Sequence, residues 1–125
     1  MSSLHLPPSE ADALQETLLG EALEHGPVGA IVLDENGRYL AVNRMACQLT
    51  GYDRSELLTL SSSDLAEAAV TDKLLEIASG ELEEGSTSLR RKDGATLRVE
   101  YRVGATRSGG LPYFVFVFWE ATDNL

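Results

Sequence analysis

The chain has 125 residues, of which 43% are hydrophobic, and carries a formal net charge of -10. Its length suits a single compact core, and its composition is that of a globular domain rather than a disordered chain. The acidic balance argues against nucleic acid as a direct partner, because contact with phosphates needs a cationic face.

The first predicted elements are a tail and a helix. Residues 1–8 are polar and contain prolines, which predicts a flexible N-terminus. Residues 9–26 are predicted to form an amphipathic helix with Ser9 as its N-cap and Gly26 at its end.

The predicted helix has an apolar stripe that includes Leu14 and Leu18, at four-residue spacing. The stripe is too short for a stable free coiled coil. We therefore expect it to lie on the domain's own sheet or against a second copy of the chain.

A β-hairpin is predicted next, between residues 28 and 43. Two short apolar runs flank Asp34-Glu35-Asn36-Gly37, and Asn-Gly readily adopts the positive φ angles of a tight turn. Residues 44–80 are then typical of short helices, with buried positions that include Leu74 and Ile77. The acidic residues at positions 81, 83 and 84 predict a solvated loop rather than a metal site, because no other ligand types lie beside them.

The C-terminal third has the pattern of strands. Residues 86–91 lead into a turn at Lys92-Asp93-Gly94, and residues 96–103 then alternate between polar and apolar side chains. A second turn at Ser108-Gly109-Gly110 leads into residues 111–119, which are apolar on both faces. Such a strand lies centrally in a sheet and has something packed on its outer surface.

Within this last strand, the two faces are predicted to differ in what covers them. The residues assigned to the inner core are Phe114, Phe116 and Phe118. The outward stripe is too apolar for water, so the N-terminal helix, a second subunit or both should cover it. The candidate dimer interface therefore consists of Leu14, Leu18, Tyr113, Val115, Val117 and Trp119.

No catalytic set is visible in the sequence. Nucleophilic catalysis needs a nucleophile, a base and an orienting group, but His5 and His25 are remote from Cys47 along the chain. A zinc or iron site would need clustered His or Cys, so no metal site and no enzyme activity are expected. The one cysteine fits a reducing compartment, and no stretch approaches a membrane span, which predicts a cytoplasmic protein.

Charge is distributed unevenly along the chain. Residues 1–84 contain sixteen Asp or Glu and four Lys or Arg, whereas residues 90–107 contain six of the ten basic residues. This pattern fits either a solvated acidic half with a basic strand surface, or charge-guided docking of two copies or of a partner domain.

The order of a hairpin, short helices and a three-strand meander resembles the PAS sensor family over residues 21–125. The motifs that carry the resemblance are Asp34-Glu35-Asn36-Gly37 followed by Asn43, Gly51-Tyr52 with Ser55-Glu56-Leu57-Leu58, Arg91-Lys92-Asp93-Gly94, and Glu120-Ala121-Thr122-Asp123. The last of these looks like a variant of the Asp-Ile-Thr motif that ends many PAS domains.

The resemblance implies an α+β fold in which residues 27–125 form the PAS domain. It has a five-stranded antiparallel sheet in the order 2-1-5-4-3, with short helices on one face, and here an N-terminal amphipathic helix precedes it. The resemblance also implies structural roles: Asn43 would cap the first short helix and tie it to the hairpin, while Asp34 and Gly37 would hold the turn.

The function implied is a sensory or dimerisation module of a larger signalling protein, such as a histidine kinase, a cyclic-dinucleotide enzyme, a phosphatase or a regulator. A bacterial two-component system is the expected setting, and signal relay would use rearrangement of a homodimer or of a linker helix. Because the closing motif normally leads into a signalling helix, we expect a fragment of a longer protein with an effector domain beyond Leu125.

The family's cofactor signatures are missing from this sequence. Flavin-binding light-oxygen-voltage domains have Asn-Cys-Arg-Phe-Leu-Gln around their reactive cysteine, and nothing similar occurs here. Haem-binding members use a histidine on the long helix before the third strand, and residues 66–80 contain none. The cysteine of the photoactive yellow protein class has no counterpart either, so no cofactor is expected.

A pocket between the sheet and the long helix would be bounded by Ile31, Leu33, Leu74, Ile77, Leu97, Val99, Tyr101, Phe116 and Phe118. These side chains could fill the space themselves, or they could enclose a small apolar ligand that contacts the Tyr101 hydroxyl. A ligand sensor and a dimerisation module are thus both open interpretations, and a small stand-alone enzyme is the least favoured one.

Overall fold

A computed structural model describes residues 8–65 and 83–122. Four helices and five strands are described in these two ranges. The helices are α1 (Pro8–Glu24), α2 (Arg44–Thr50), α3 (Arg54–Leu57) and α4 (Ser62–Leu65), and the strands are β1 (Gly29–Leu33), β2 (Tyr39–Val42), β3 (Glu83–Arg90), β4 (Thr96–Ser108) and β5 (Leu111–Glu120).

The strands form one antiparallel sheet in the order β2-β1-β5-β4-β3, which confirms the predicted order. The last strand, β5, pairs with β1 on one side and with β4 on the other. The apolar segment 111–119 therefore lies in the middle of the sheet, as its two-sided pattern predicted.

One face of the sheet, which we call the inner face, carries the hydrophobic core. Phe114, Phe116 and Phe118 are buried on β5, with buried side chains of β1 and β4 beside them. The short helices contribute Ala46, Leu57 and Leu65 to the same core. The short helices thus pack on this one face, as predicted.

Gly29, at the start of β1, is required by the packing of this core. It pairs with Phe118, and a Cβ atom at position 29 would lie 2.6 Å from the Phe118 ring. That distance is shorter than a van der Waals contact, so the aromatic ring lies directly over the glycine backbone.

Four boundaries differ from the sequence predictions. The first helix begins at Pro8, so Ser9 lies inside its first turn instead of capping it, and it ends at Glu24 rather than at Gly26. Glu83 and Glu84 begin β3 rather than lying in a loop, because they pair with Val103 and Arg102 of β4. β4 continues to Ser108, beyond the predicted segment 96–103, because its residues 103–108 pair with residues 111–116 of β5.

Candidate functional site

The predicted pocket residues that the structure describes all lie on the inner face. Seven of the nine are buried, namely Ile31, Leu33, Leu97, Val99, Tyr101, Phe116 and Phe118. The other two, Leu74 and Ile77, lie outside the described residues, and with them the helix that was expected to close the pocket. The structure therefore describes the sheet wall of the predicted pocket.

Aromatic rings occupy the centre of that wall. The ring centroids of Tyr101 and Phe116 are 5.1 Å apart, and those of Phe116 and Phe118 are 5.3 Å apart. The Tyr101 ring extends over β3, where a Cβ atom on Gly85 would lie 3.1 Å from the tyrosine hydroxyl. Gly85 thus leaves the space that the end of the Tyr101 side chain occupies.

The opposite, outer face of β5 carries the predicted dimer-interface residues of this strand. Tyr113, Val115, Val117 and Trp119 are half-buried, in alternation with the buried phenylalanines. Val115 and Val117 pair with Val32 and Ala30 of β1, which extends the apolar surface sideways. This half of the outer face is consequently uncharged.

The other half of the outer face is charged, in keeping with the polar alternation predicted for residues 96–103, although the individual pairs on it were not predicted. Trp119 donates its indole N–H to Glu100 on β4 at 3.0 Å, and Arg102 forms an ion pair with Glu84 of β3 at 3.1 Å. These side chains surround an open depression of about 410 Å³. Trp119 therefore lies at the border between the apolar and the charged half.

Helix α1 approaches the apolar half of the outer face with its last turns. Gly20 and Leu23 line a groove of about 140 Å³ together with Ala30, Val32 and Val115. Ala30 is only 5% exposed although it points to the outer face. Nearer the N-terminus of the helix, the leucines are solvent-accessible: Leu14 is 50% exposed and Leu18 is 60% exposed.

Asn43, which directly follows β2, is a buried polar junction. Its Oδ1 atom accepts hydrogen bonds from the backbone N–H of Ala30 at 2.8 Å and of Ala46 at 3.0 Å. Its Nδ2 atom donates to the carbonyl of Val28 at 2.9 Å and to that of Leu23 at 2.6 Å. The expected cap of α2 and tie to the hairpin are both present, and the bond to α1 is an addition that sequence reasoning missed.

The loop between β1 and β2 is held by Asp34 and Gly37. The Asp34 carboxylate accepts from the backbone N–H groups of Asn36 at 2.9 Å and of Arg38 at 3.0 Å. Gly37 has a φ angle of 81°, which favours glycine. This arrangement fixes the loop locally and gives it no visible chemical role.

Arg54 is a second contact to α1 that the sequence did not predict. Its guanidinium forms an ion pair with Glu24 in the last turn of α1 and donates from Nε to the carbonyl of Val42 at 3.3 Å. A partner 30 positions away cannot be identified from local spacing.

The described residues offer no reactive centre. Cys47 lies half-buried on α2, and burial raises the pKa of its thiol, which lowers its nucleophilicity at neutral pH. Within residues 8–65 and 83–122, no group of three or more His, Cys, Asp or Glu side chains is arranged to hold a metal ion. In this same part of the chain, none of the helices combines the length and the apolar character needed to cross a bilayer.

The family model and the similar solved structures point to the same protein family. A family model described as the PAS fold matches residues 17–120. The PAS domain of an HTR-like protein from Haloarcula marismortui is 26% identical, with a TM-score of 0.78 over 92% of this chain and 100% of that one. A domain of a sensory box sensor histidine kinase/response regulator from Geobacter sulfurreducens is 25% identical, with a TM-score of 0.73 over 87% of this chain and 97% of that one.

A more distant solved structure shows the same fold inside a longer protein. An RNA-binding light-oxygen-voltage receptor is 21% identical, with a TM-score of 0.75 over 96% of this chain and 36% of that chain. A search of curated proteins finds no match to this sequence.

Proposed function

The chain belongs to the PAS family, and from that premise we propose that it is a sensory and dimerisation module that acts on an effector domain of a signalling protein. The observation that carries this proposal is the apolar half of the outer face. It lies beside the end of α1, whose leucines are between 43% and 62% exposed. Together these surfaces form one largely apolar area that a second copy can cover.

A homodimer accounts for the composition of this area. Val115 and Val117 lie at the centre of the sheet and are only half-buried in the single chain. Leu14 and Leu18 would add apolar surface from α1 once two chains align. Covering these side chains removes apolar surface from water, which is the main favourable term in association.

Strand β5 offers a route by which the inner core could influence the dimer. Its alternate residues point to opposite sides, so Phe116 contacts the core while the adjacent Val115 and Val117 face outward. A shift of the strand caused by a change in the core would therefore move the outer surface too. β5 also leads directly to Ala121, whose N–H is bonded to the carbonyl of Arg98, at the point where the chain would continue toward an effector.

The test is the oligomeric state of the purified chain. Light scattering at tens of micromolar should give the mass of a dimer, and Val115→Glu, which lies between the uncharged Val32 and Gly104, should give a monomer with unchanged circular dichroism. An unpaired carboxylate buried in the interface would cost several kcal/mol, which is enough to dissociate two chains.

A matched control is Leu58→Glu, which adds the same charge to an exposed position just after α3. It should remain dimeric. A wild-type monomer at these concentrations, or a Val115→Glu variant that stays dimeric, would contradict the dimerisation proposal.

A second candidate function is the binding of a small apolar ligand, with no enzymatic turnover. Tyr101 favours it, because this buried side chain carries a polar group into an otherwise apolar wall. Native mass spectrometry, an absorption spectrum of freshly purified protein and a metabolite melting panel would detect such a ligand. Bare mass with no absorbing cofactor and no melting shift would exclude it for the compounds tried.

A cytoplasmic location fits both candidates. The sequence has one cysteine and therefore no intrachain disulfide, and Cys47 is present as a free thiol. Fractionation of cells that express the intact gene product would test this location.

A further inference from the structure

The last turn of α1 is fastened to the domain by two side chains from other elements. Asn43 donates to the Leu23 carbonyl, and Arg54 pairs with the Glu24 carboxylate. Leu23 is among the last residues of α1, and its carbonyl also accepts a long hydrogen bond of 3.4 Å from the backbone N–H of Gly26. Asn43 adds a shorter hydrogen bond to the same carbonyl and so reinforces the C-terminus of the helix from outside.

Both fastening side chains are also attached to one core residue, Val42. Asn43 follows Val42 directly in the chain, and Arg54 donates from Nε to the Val42 carbonyl. The Val42 side chain belongs to the inner core, where it is 8% exposed, and its partner across the hairpin is Ile31. A displacement of the strand at Val42 would consequently move Asn43 and Arg54 together.

Burial makes the Asn43 contact sensitive to such a displacement. Asn43 is 5% exposed, and its amide bonds to groups of α1, of β1 and of α2 at the same time. A buried amide has no water to replace a lost partner, so its hydrogen bonds are gained and lost as a set. The exposed part of α1 lies beyond this attachment point.

We propose that Asn43 and Arg54 form a latch, here named the α1 latch, through which the inner core controls the attachment of α1. With the latch closed, the last turn of α1 is held beside the apolar half of the outer face, and the earlier turns extend from it. When a change in the core shifts Val42, the latch opens and α1 is released as a lever that carries Leu14 and Leu18. This regulatory meaning rests on the proposed signalling function, whereas the attachment itself can be tested in the single chain.

The first test separates the latch from the capping of α2. In Asn43→Asp, the acceptor for Ala30 and Ala46 is kept, and the donor to Leu23 and Val28 is lost. Amide hydrogen exchange by mass spectrometry should become about tenfold faster in peptides covering 20–28, with exchange in peptides covering 96–120 unchanged. Equal acceleration in both regions would mean a purely structural role and would overturn the latch.

The second test uses surface variants, which keep the fold. Glu24→Gln and Arg54→Gln should each accelerate exchange in 20–28 by a few fold, and their effects should not add when the two are combined. The charge-swapped pair Glu24→Arg with Arg54→Glu should restore most of the protection. Unchanged exchange in all of these variants would overturn the latch.

The third test addresses the link to the core with a matched pair of substitutions. Val42→Ala and Val99→Ala remove the same atoms from the same core, but only Val42 is connected to the latch. Val42→Ala should accelerate exchange in 20–28 several times more than Val99→Ala does. Equal effects would overturn the coupling.

These measurements are made on the full chain at a concentration where light scattering shows a monomer. Failure of the dimer would appear in the masses of the wild type and of the Val115→Glu variant, and failure of the latch would appear in the exchange of residues 20–28. The two outcomes are therefore distinguishable.

Discussion

At the scale of single residues, glycines show where this fold tolerates no side chain. Gly29 lies under the Phe118 ring, whereas a methyl group added at Gly20, in α1, would meet no atom within 4 Å apart from its chain neighbours and the backbone of its own helix. The same substitution should therefore have opposite effects at the two positions. At Gly29 the effect comes from packing against the Phe118 ring, and at Gly20 it comes from the higher helix propensity of alanine.

We expect Gly29→Ala to lower the free energy of unfolding by about 1–3 kcal/mol, because the Phe118 ring or the strand must shift to admit the methyl group. Gly20→Ala should instead raise helicity and stabilise α1 by up to about 1 kcal/mol. Urea unfolding would measure the first effect, and far-ultraviolet circular dichroism would measure the second. A Gly29→Ala protein as stable as the wild type would contradict the packing described here.

At the scale of elements, an ion pair and a backbone hydrogen bond join the turn after β3 to α3 and to the end of α2. Lys92 lies in that turn, where its backbone N–H donates to the Thr50 carbonyl and its ammonium pairs with Glu56 at 2.8 Å. The hydrogen bond from Lys92 lowers the pKa of the Glu56 carboxyl, with a smaller lowering by the Asp53 backbone. The same contact raises the pKa of Lys92.

This ion pair predicts a pH dependence of stability. The Glu56 contribution is complete above the ordinary carboxyl pKa and is lost as the pH falls through the lowered folded value. The Lys92 contribution is complete below the ordinary amine pKa and is lost as the pH rises through the raised folded value. Glu56→Gln should therefore lower the Tm slightly near neutral pH, and the difference from wild type should vanish in strong acid.

Thermal melts across acid and neutral pH would check this expectation. Glu35→Gln, at an exposed position in the hairpin loop, controls for the loss of one acidic charge. A difference between wild type and Glu56→Gln that persists after full protonation would show that the ion pair is not its source.

The sequence patterns were sufficient to predict most helices and strands, but not the side-chain contacts between these elements. The two-sided apolar pattern of residues 111–119 was sufficient to predict a central strand, because a strand at the edge of the sheet would expose these apolar side chains to water. The pairing of Trp119 with Glu100 and of Arg54 with Glu24 was not predictable, since each joins positions that only the folded chain brings together. Asn43 was expected to cap α2, but its bond to α1 depends on where that helix lies in space.

At the scale of the whole molecule, charge opposes the association that apolar surface favours. Two chains that each carry a net charge of -10 repel each other at low ionic strength. The apolar half of the outer face contributes no compensating charge. A dimer formed through it should consequently become more stable as salt is added.

We expect the dimer dissociation constant to fall several-fold between about 0.05 and 0.5 M NaCl, because the Debye length shortens from roughly 14 Å to roughly 4 Å and the repulsion is screened. Analytical ultracentrifugation across this range measures the constant. A dissociation constant that rises with salt would instead indicate docking between opposite charges, with the basic residues of 90–107 as the natural cationic side.

The pairing of β1 with β5 also has a consequence for biosynthesis. The first hairpin emerges from the ribosome early, but one edge of β1 finds its partner only when the final strand has been made. Throughout that interval, nascent chains present an open backbone edge beside apolar side chains, which is the situation that invites aggregation and chaperone binding. Translation speed over the last third of the gene should therefore influence the yield of folded protein, even where the encoded residues stay the same.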